Sequence, residues 1–316
     1  LPEVDRDRAS APIASGVAAS PGAATGNVVL TADDAVARSQ AGWLMNFNGS
    51  AGIWRRTCIA EAGGWQGDTL AEDLDLSYRA QLRGWRLAYR LEVAAPAELP
   101  AGILAVKRQQ FRWAKGSFQV LRKLGWLLLA SAQPAHRKLL GLLHLTGYLP
   151  HPLVVLSLLL SLPVVLMHGW MPLRWEFLGG LGLVSPLATA WGQWRLRADP
   201  LRRVRHYPAL MLGIIGLALS NTVAFAEALS GRTSEFLRTP KSGPDSAGAY
   251  TLPLDWTTGG ELLLAMYALA TGLLALERAP ALAPALFLYA LGFGTVAVRS
   301  LWEAGGRRPR LLALDE

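Results

Sequence analysis

Two clusters of residues in this sequence could do acid–base and anion-binding chemistry, and both fall within residues 69–118. The first is the run Thr69-Leu70-Ala71-Glu72-Asp73-Leu74-Asp75-Leu76. Leu74, Tyr78, Leu82 and Trp85 follow at spacings of four, four and three, which predicts one buried face of a helix. Glu72 and Asp73 then stand in its first turn, where the positive end of the helix dipole keeps a carboxylate ionised and its pKa low. A bound anionic substrate would push that pKa back up. Asp73 is thus a carboxylate that could serve as a base. Thr69 lies three residues before Glu72, which predicts a capping box and makes Glu72 either a cap or a partner of the base. An acidic first turn is ordinary, so this pair alone does not mark a site.

The second cluster is Gln109-Gln110-Phe111-Arg112-Trp113. On a helix, Gln109, Arg112, Trp113 and Gly116 lie at i, i+3, i+4 and i+7 and share one face. Phe111, Ala114 and Phe118 form a separate apolar stripe. Such a helix packs on one side and offers an amide, a guanidinium and an indole on the other. Arginine forks onto phosphate oxygens and a flat ring stacks on a sugar face, so a sugar or a diphosphate suits it. The competing reading is an amphipathic helix at a membrane surface, with Lys107, Arg108, Arg112 and Lys115 facing lipid headgroups.

Glu72-Asp73 followed by Gln109-Gln110-x-Arg112-Trp113 resembles the paired signature of membrane-embedded family 2 glycosyltransferases, the cellulose synthases and plant glucomannan synthases among them. Phe47-Asn48-Gly49-Ser50-Ala51-Gly52 upstream agrees with it. So does Phe236-Leu237-Arg238-Thr239-Pro240-Lys241 downstream, which resembles the family's Phe-x-x-Thr-x-Lys gating-loop motif. Four matches in the family's order make the likeness specific, and they lean toward the mannan and glucomannan branch.

The resemblance implies an α/β, partial GT-A-like catalytic domain followed by an α-helical transmembrane region. It also implies transfer of a sugar from a nucleotide-diphosphate sugar to a glycan acceptor, with inversion to a β-linkage. In those terms Asp73 is the base and Glu72 orients it. Gln109, Gln110, Arg112, Trp113, Asn48 and Gly49 bind substrate, while Phe236, Thr239 and Lys241 belong to a loop that covers the nucleotide. Taken alone, Thr239-Pro240-Lys241 is a basic turn between membrane helices. A divalent Mg²⁺ or Mn²⁺ is implied, with no ligands identified. The family's earlier Asp motifs have no counterpart, because about a dozen residues separate Asp34 from Phe47, so the expectation is the C-terminal part of a longer enzyme. The alternatives are an inactive fragment and a non-catalytic transport or regulatory subunit.

The elements that must position these residues are legible in composition and periodicity. The chain has 316 residues, 52% hydrophobic, with 12 Trp and a net charge of +8. That is too apolar for an ordinary soluble domain. The basic residues cluster beside apolar runs, which favours a lipid bilayer over nucleic acid as partner. A single Cys58 excludes a disulfide framework and reads as a small core residue. His136, His144, His151, His168 and His206 lack an i, i+4 acidic partner and predict no metal site.

Residues 1–40 read as poorly ordered, apart from a short strand at Val28-Val29-Leu30. The Asp33-Asp34 pair after it suits either an oxygen-ligated metal or a turn and cap. Residues 41–125 form the remaining α/β portion, with a loop or strand at 47–54 and a half-buried strand at Leu87–Val93. Residues 126–316 form the membrane region, with a gating-like loop at 231–256. Pro150 and Pro152 divide Leu139–Met167 into an interface-lying piece and a span. Further spans are predicted at 175–194, 261–276 and 281–301, and residues 207–229 read as a re-entrant or interfacial helix. The basic residues Arg195–Arg205 and Arg307–Arg310 place the loops after the second and last spans inside. The expected location is a bacterial inner membrane with the catalytic part cytoplasmic. Asn221 and Glu227 are candidates for lining a polymer path or for helix–helix hydrogen bonds.

Overall fold

The computed structural model describes residues 35–49, 52–90, 100, 102–167, 191, 206–232 and 252–305. After a helical stretch at 35–40, four helices form the part that carries the candidate site: α1 (Arg56–Glu61), α2 (Glu72–Leu82), α3 (Ile103–Ala130) and α4 (Ala135–Leu145). The second group is α5 (Pro150–Met167), α6 (Tyr207–Gly216), α7 (Ala218–Ser230), α8 (Thr257–Arg278) and α9 (Ala283–Ala304), with a 3₁₀ turn at Pro280–Leu282.

Helix α2 is apolar on two sides. Leu74 and Tyr78 pack with Val120, Leu124 and Leu128 of α3 and Leu145 of α4. Leu76 and Ala80 pack on the other side with Cys58 and Ala62, beside Trp54, Ile59 and Trp85. At about 1.5–3 kcal/mol for each large side chain removed from water, these two clusters hold α2 in place. Trp85 lies beyond the end of α2 and joins the second cluster, so the single predicted stripe is in fact two. Cys58 is fully buried and its thiol is pushed up to about 11 by burial, as an inert core residue requires.

The predicted capping box does not form. The N-cap of α2 is Ala71, without a side-chain cap, and the buried Thr69 hydroxyl has no partner. The extended backbone of residues 44–48 is bonded to side chains of α2 rather than to a neighbouring strand, which explains why no strand is built there. Among the described residues no strand exceeds the single bridge positions Gly52 and Ala88. The strand expected at 87–93 is a bridge at Ala88 over its described part, and 28–30 lies outside the described residues.

Helix α3 runs for 28 residues, about 42 Å at ~1.5 Å per residue, through the boundary expected at 125. The headgroup-facing reading of its cations fails for two of them: the side chains of Lys107 and Lys115 are 1% and 0% exposed and are ion-paired inside the protein. The division between α4 and α5 falls in the turn at 146–149, so Pro150 opens α5 and Pro152 sits in its first turn.

Three described helices are long and apolar enough to cross a membrane: Pro150–Met167, Thr257–Arg278 and Pro280–Ala304. Their outer faces expose leucines such as Leu156, Leu160, Leu263, Leu273 and Leu291. Helices α6 and α7 meet at a 45° bend, an arrangement open to a broken span or a re-entrant loop. The span expected at 175–194 and the basic tail at 307–310 lie outside the described residues.

Candidate active site

Three segments converge on Asp73. Along α2, Asp73, Ser77 and Gln81 recur every fourth residue on one polar line. The Phe47 N–H donates to Ser77 Oγ at 2.8 Å, and the Ser77 hydroxyl donates to the Asp73 carbonyl at 2.6 Å. Met45 N–H donates to Gln81 Oε1 at 2.9 Å, while Gln81 Nε2 donates to the Met45 carbonyl at 2.7 Å. The helix thus holds the backbone of 45–47 by its side chains and delivers Asn48 and Gly49 to its own N-terminus. Asn46 Nδ2 donates to Asn48 Oδ1 at 2.7 Å, which fixes the turn. Gly49 has φ +77°, and a Cβ built there would stand 2.9 Å from Asp73 Oδ2.

Helix α3 approaches the same point from the other side. Gly116 lies against the Leu70–Ala71 backbone: a Cβ there would be 2.6 Å from Ala71 Cβ and 2.9 Å from Ala71 N. Gln119, one turn on, accepts the Leu70 N–H at 2.8 Å. Arg112, one turn before Gly116, is close enough to Asp73 to act on its charge. Trp113 beside it is 43% exposed.

The Asp73 carboxyl is pushed up to about 6. Burial is the main cause, and the neighbouring Glu72 carboxylate adds to it. The Leu74 N–H, which Oδ1 accepts at 2.8 Å, and the Arg112 guanidinium pull the other way. This corrects the expectation of a lowered pKa. A helix N-terminus returns only about 0.3–1 kcal/mol to a surface carboxylate, and partial burial here outweighs it. Oδ1 is thus engaged, and Oδ2 lies beside Gly49.

Gln110 points elsewhere than its sequence neighbours. Its Oε1 accepts the Tyr148 hydroxyl at 3.0 Å, linking α3 to the turn before α5. Ser77, Gln81 and Gln119 were not singled out from sequence. Their signal was there, as polar residues at helical spacing from Asp73 and Gly116 on faces that otherwise pack. Ser50, Ala51, Phe236, Thr239, Lys241, Asp33 and Asp34 lie outside the described residues. Among the described residues no group of three or more His, Cys, Asp or Glu is placed to hold the Mg²⁺ or Mn²⁺ that the resemblance implies, so no step is routed through a metal.

A buried carboxylate with a guanidinium near it stands at the head of α2, in a chain with three described helices long and apolar enough to cross a membrane. Residues 23–226, more than half of the chain, match the family described as Glycosyl transferase family group 2, and the chain belongs to that family. It is similar to a protein named probable glucomannan 4-beta-mannosyltransferase 7 of Oryza sativa subsp. japonica, 48% identical over 81 residues, covering 26% of this chain and 14% of the relative. Glucomannan 4-beta-mannosyltransferase 2 of Arabidopsis thaliana is 47% identical over 81 residues, 26% of this chain and 15% of the relative. Glucomannan 4-beta-mannosyltransferase 7 of the same plant is 42% identical over 88 residues, 28% of this chain and 16% of the relative. The matches thus span 14–16% of these relatives' own length.

Proposed function

We propose that this chain carries the acceptor side of an inverting β-glycosyltransferase that works at a bilayer, with an α/β GT-A-like catalytic domain and a membrane region beside it. The observation that carries the reading is the meeting of Gly49, Asp73 and Arg112, each from a separate motif, at the N-terminus of α2. The relatives' printed activity, 4-beta-mannosyl transfer in glucomannan, makes a β-mannosyl unit the first sugar to test.

The acceptor hydroxyl attacks the anomeric carbon of a nucleotide-diphosphate sugar while the bond from that carbon to the diphosphate oxygen breaks. The diphosphate leaves with the electron pair, and the hydroxyl proton passes to Asp73 Oδ2. Arg112 pulls the Asp73 pKa down and, with Gln109, holds acceptor or diphosphate oxygens. Trp113 offers its exposed face to the acceptor sugar, and Asn48 and Gly49 bring backbone close to it. Gln110 acts through Tyr148, keeping α3 seated on the membrane helices. Phe236, Thr239 and Lys241 lie in the segment between α7 and α8 and are assigned to covering the nucleotide. The catalytic part faces the cytoplasm of a bacterial inner membrane.

The test is sugar incorporation by the full-length protein in membranes. Asp73→Asn removes the base while preserving shape, and incorporation is expected to fall about 10²–10⁴-fold. An unchanged rate rules out Asp73 as the base.

A further inference from the structure

Helix α3 has two polar faces that do different things. At about 100° per residue, Gln109, Arg112, Trp113 and Gly116 cover roughly 100° of the helix, and Lys107, Lys115 and Arg122 cover roughly 80° on the far side. On the second face Lys107 and Lys115 are buried against the second group of helices, and Arg122 is exposed at its end. Lys107 Nζ reaches Asp255 Oδ1 at 3.0 Å, Thr258 Oγ1 at 3.2 Å, and Glu261 Oε1 and Oε2 at 2.9 and 3.1 Å. Lys115 Nζ pairs with Glu227 Oε2 at 2.7 Å, and Arg122 Nη1 donates to the Ala228 carbonyl at 3.0 Å. Phe118 packs edge-on to Phe225 between them, with ring centroids 4.7 Å apart. The helix N-terminus is held too: Glu303 of α9 accepts the Ile103 and Leu104 N–H groups at 2.7 and 3.1 Å.

Stability alone does not explain a lysine and a glutamate with 1% and 0% exposed side chains. Replacing such a pair with apolar residues of similar size is often neutral or stabilising, because desolvation cancels the attraction. Apolar helix contacts tolerate sliding, whereas an ammonium with three oxygen-bearing partners is satisfied at one height only. Helix α2 rests on α3 through Gly116 and Gln119, so the height of α3 also sets that of α2.

We propose that Lys107, with Asp255, Thr258 and Glu261, is a positioning cluster that sets the height of the α2–α3 site relative to the membrane helices. It thereby aligns the acceptor with Trp113. This rests on the transfer reading above. The cluster acts on acceptor placement and leaves Asp73 and its surroundings unchanged.

The experiment uses the full-length protein in membranes, with Lys107→Met/Glu261→Met as the charge-free pair, Lys107→Arg as the conservative variant and Asp73→Asn as control. The pair is expected to accumulate normally, to hydrolyse donor in the absence of acceptor as wild type does, and to keep the acidic limb of its pH profile. Its kcat/KM for acceptor is expected to drop about 10–10²-fold, the scale of a 1 Å misplacement. Lys107→Arg is expected to keep most of the wild-type value. A pair with wild-type acceptor kcat/KM overturns the proposal, and so does a pair that fails to accumulate, because the cluster is then a stability element. A wild-type rate in Asp73→Asn instead overturns the base assignment, independently of the cluster.

Discussion

Asp73 sits where burial and a neighbouring acid raise its pKa while a guanidinium and a backbone N–H lower it. With the balance at about 6, the Asp73 carboxyl is protonated in acid and becomes ionised, as its proposed role as base requires, when pH rises through that value. The kcat/KM profile should therefore climb through an acidic limb near pH 6, and Arg112→Gln should shift the limb upward, since a cation that lowers the pKa is gone. A limb unmoved in the Arg112 variant would detach Arg112 from the base. Gly49 supplies the second residue-level test. Its left-handed φ of +77° disfavours any side chain, and an added Cβ would press on Asp73 Oδ2 at 2.9 Å. Gly49→Ala should lose about 10–10²-fold in kcat by misplacing the base while the protein still accumulates, read by incorporation assay and membrane yield.

At the level of elements, the α2–α3 junction carries the site. The close approach at Gly116 lets the two helices meet at Ala71, and Gln119 secures the contact through Leu70. Gly116→Ala places a methyl 2.6 Å from Ala71 Cβ and 2.9 Å from a backbone nitrogen that cannot swing away. The expected cost is about 1–3 kcal/mol in stability, measured by thermal unfolding of the purified protein, together with a fall in kcat as Arg112 moves off Asp73. The shared face of Gln109, Arg112, Trp113 and Gly116 was legible because helical spacing is a property of the chain itself. The start of α2 was not, because its N-cap is Ala71 and Thr69 lies two residues before it with its hydroxyl buried. Nor was the second apolar side of α2, whose Leu76 and Ala80 become a stripe only once α1 lies against them.

At the scale of the molecule, the candidate membrane helices pack through small residues. Gly216, at the bend between α6 and α7, faces α9 so closely that a Cβ would lie 2.2 Å from Val296 Cγ2 and 2.5 Å from the Gly292 carbonyl. Gly216→Ala should destabilise by about 1–3 kcal/mol, read as a lower unfolding temperature in detergent. An unchanged temperature would mean that α6 and α9 do not pack this tightly in the bilayer. The sequence alone determined the order of the motifs, the helical face around Arg112 and the three apolar helices within the described residues, because each follows from local spacing or hydropathy. It also marked Asp73 as a carboxylate at a helix start. Only the tertiary structure decided the direction of the Asp73 pKa, since burial depends on what else arrives there. It alone turned Lys107 from a surface cation into a buried ion-pair partner of Glu261, because nothing in local sequence announces a carboxylate 154 residues away.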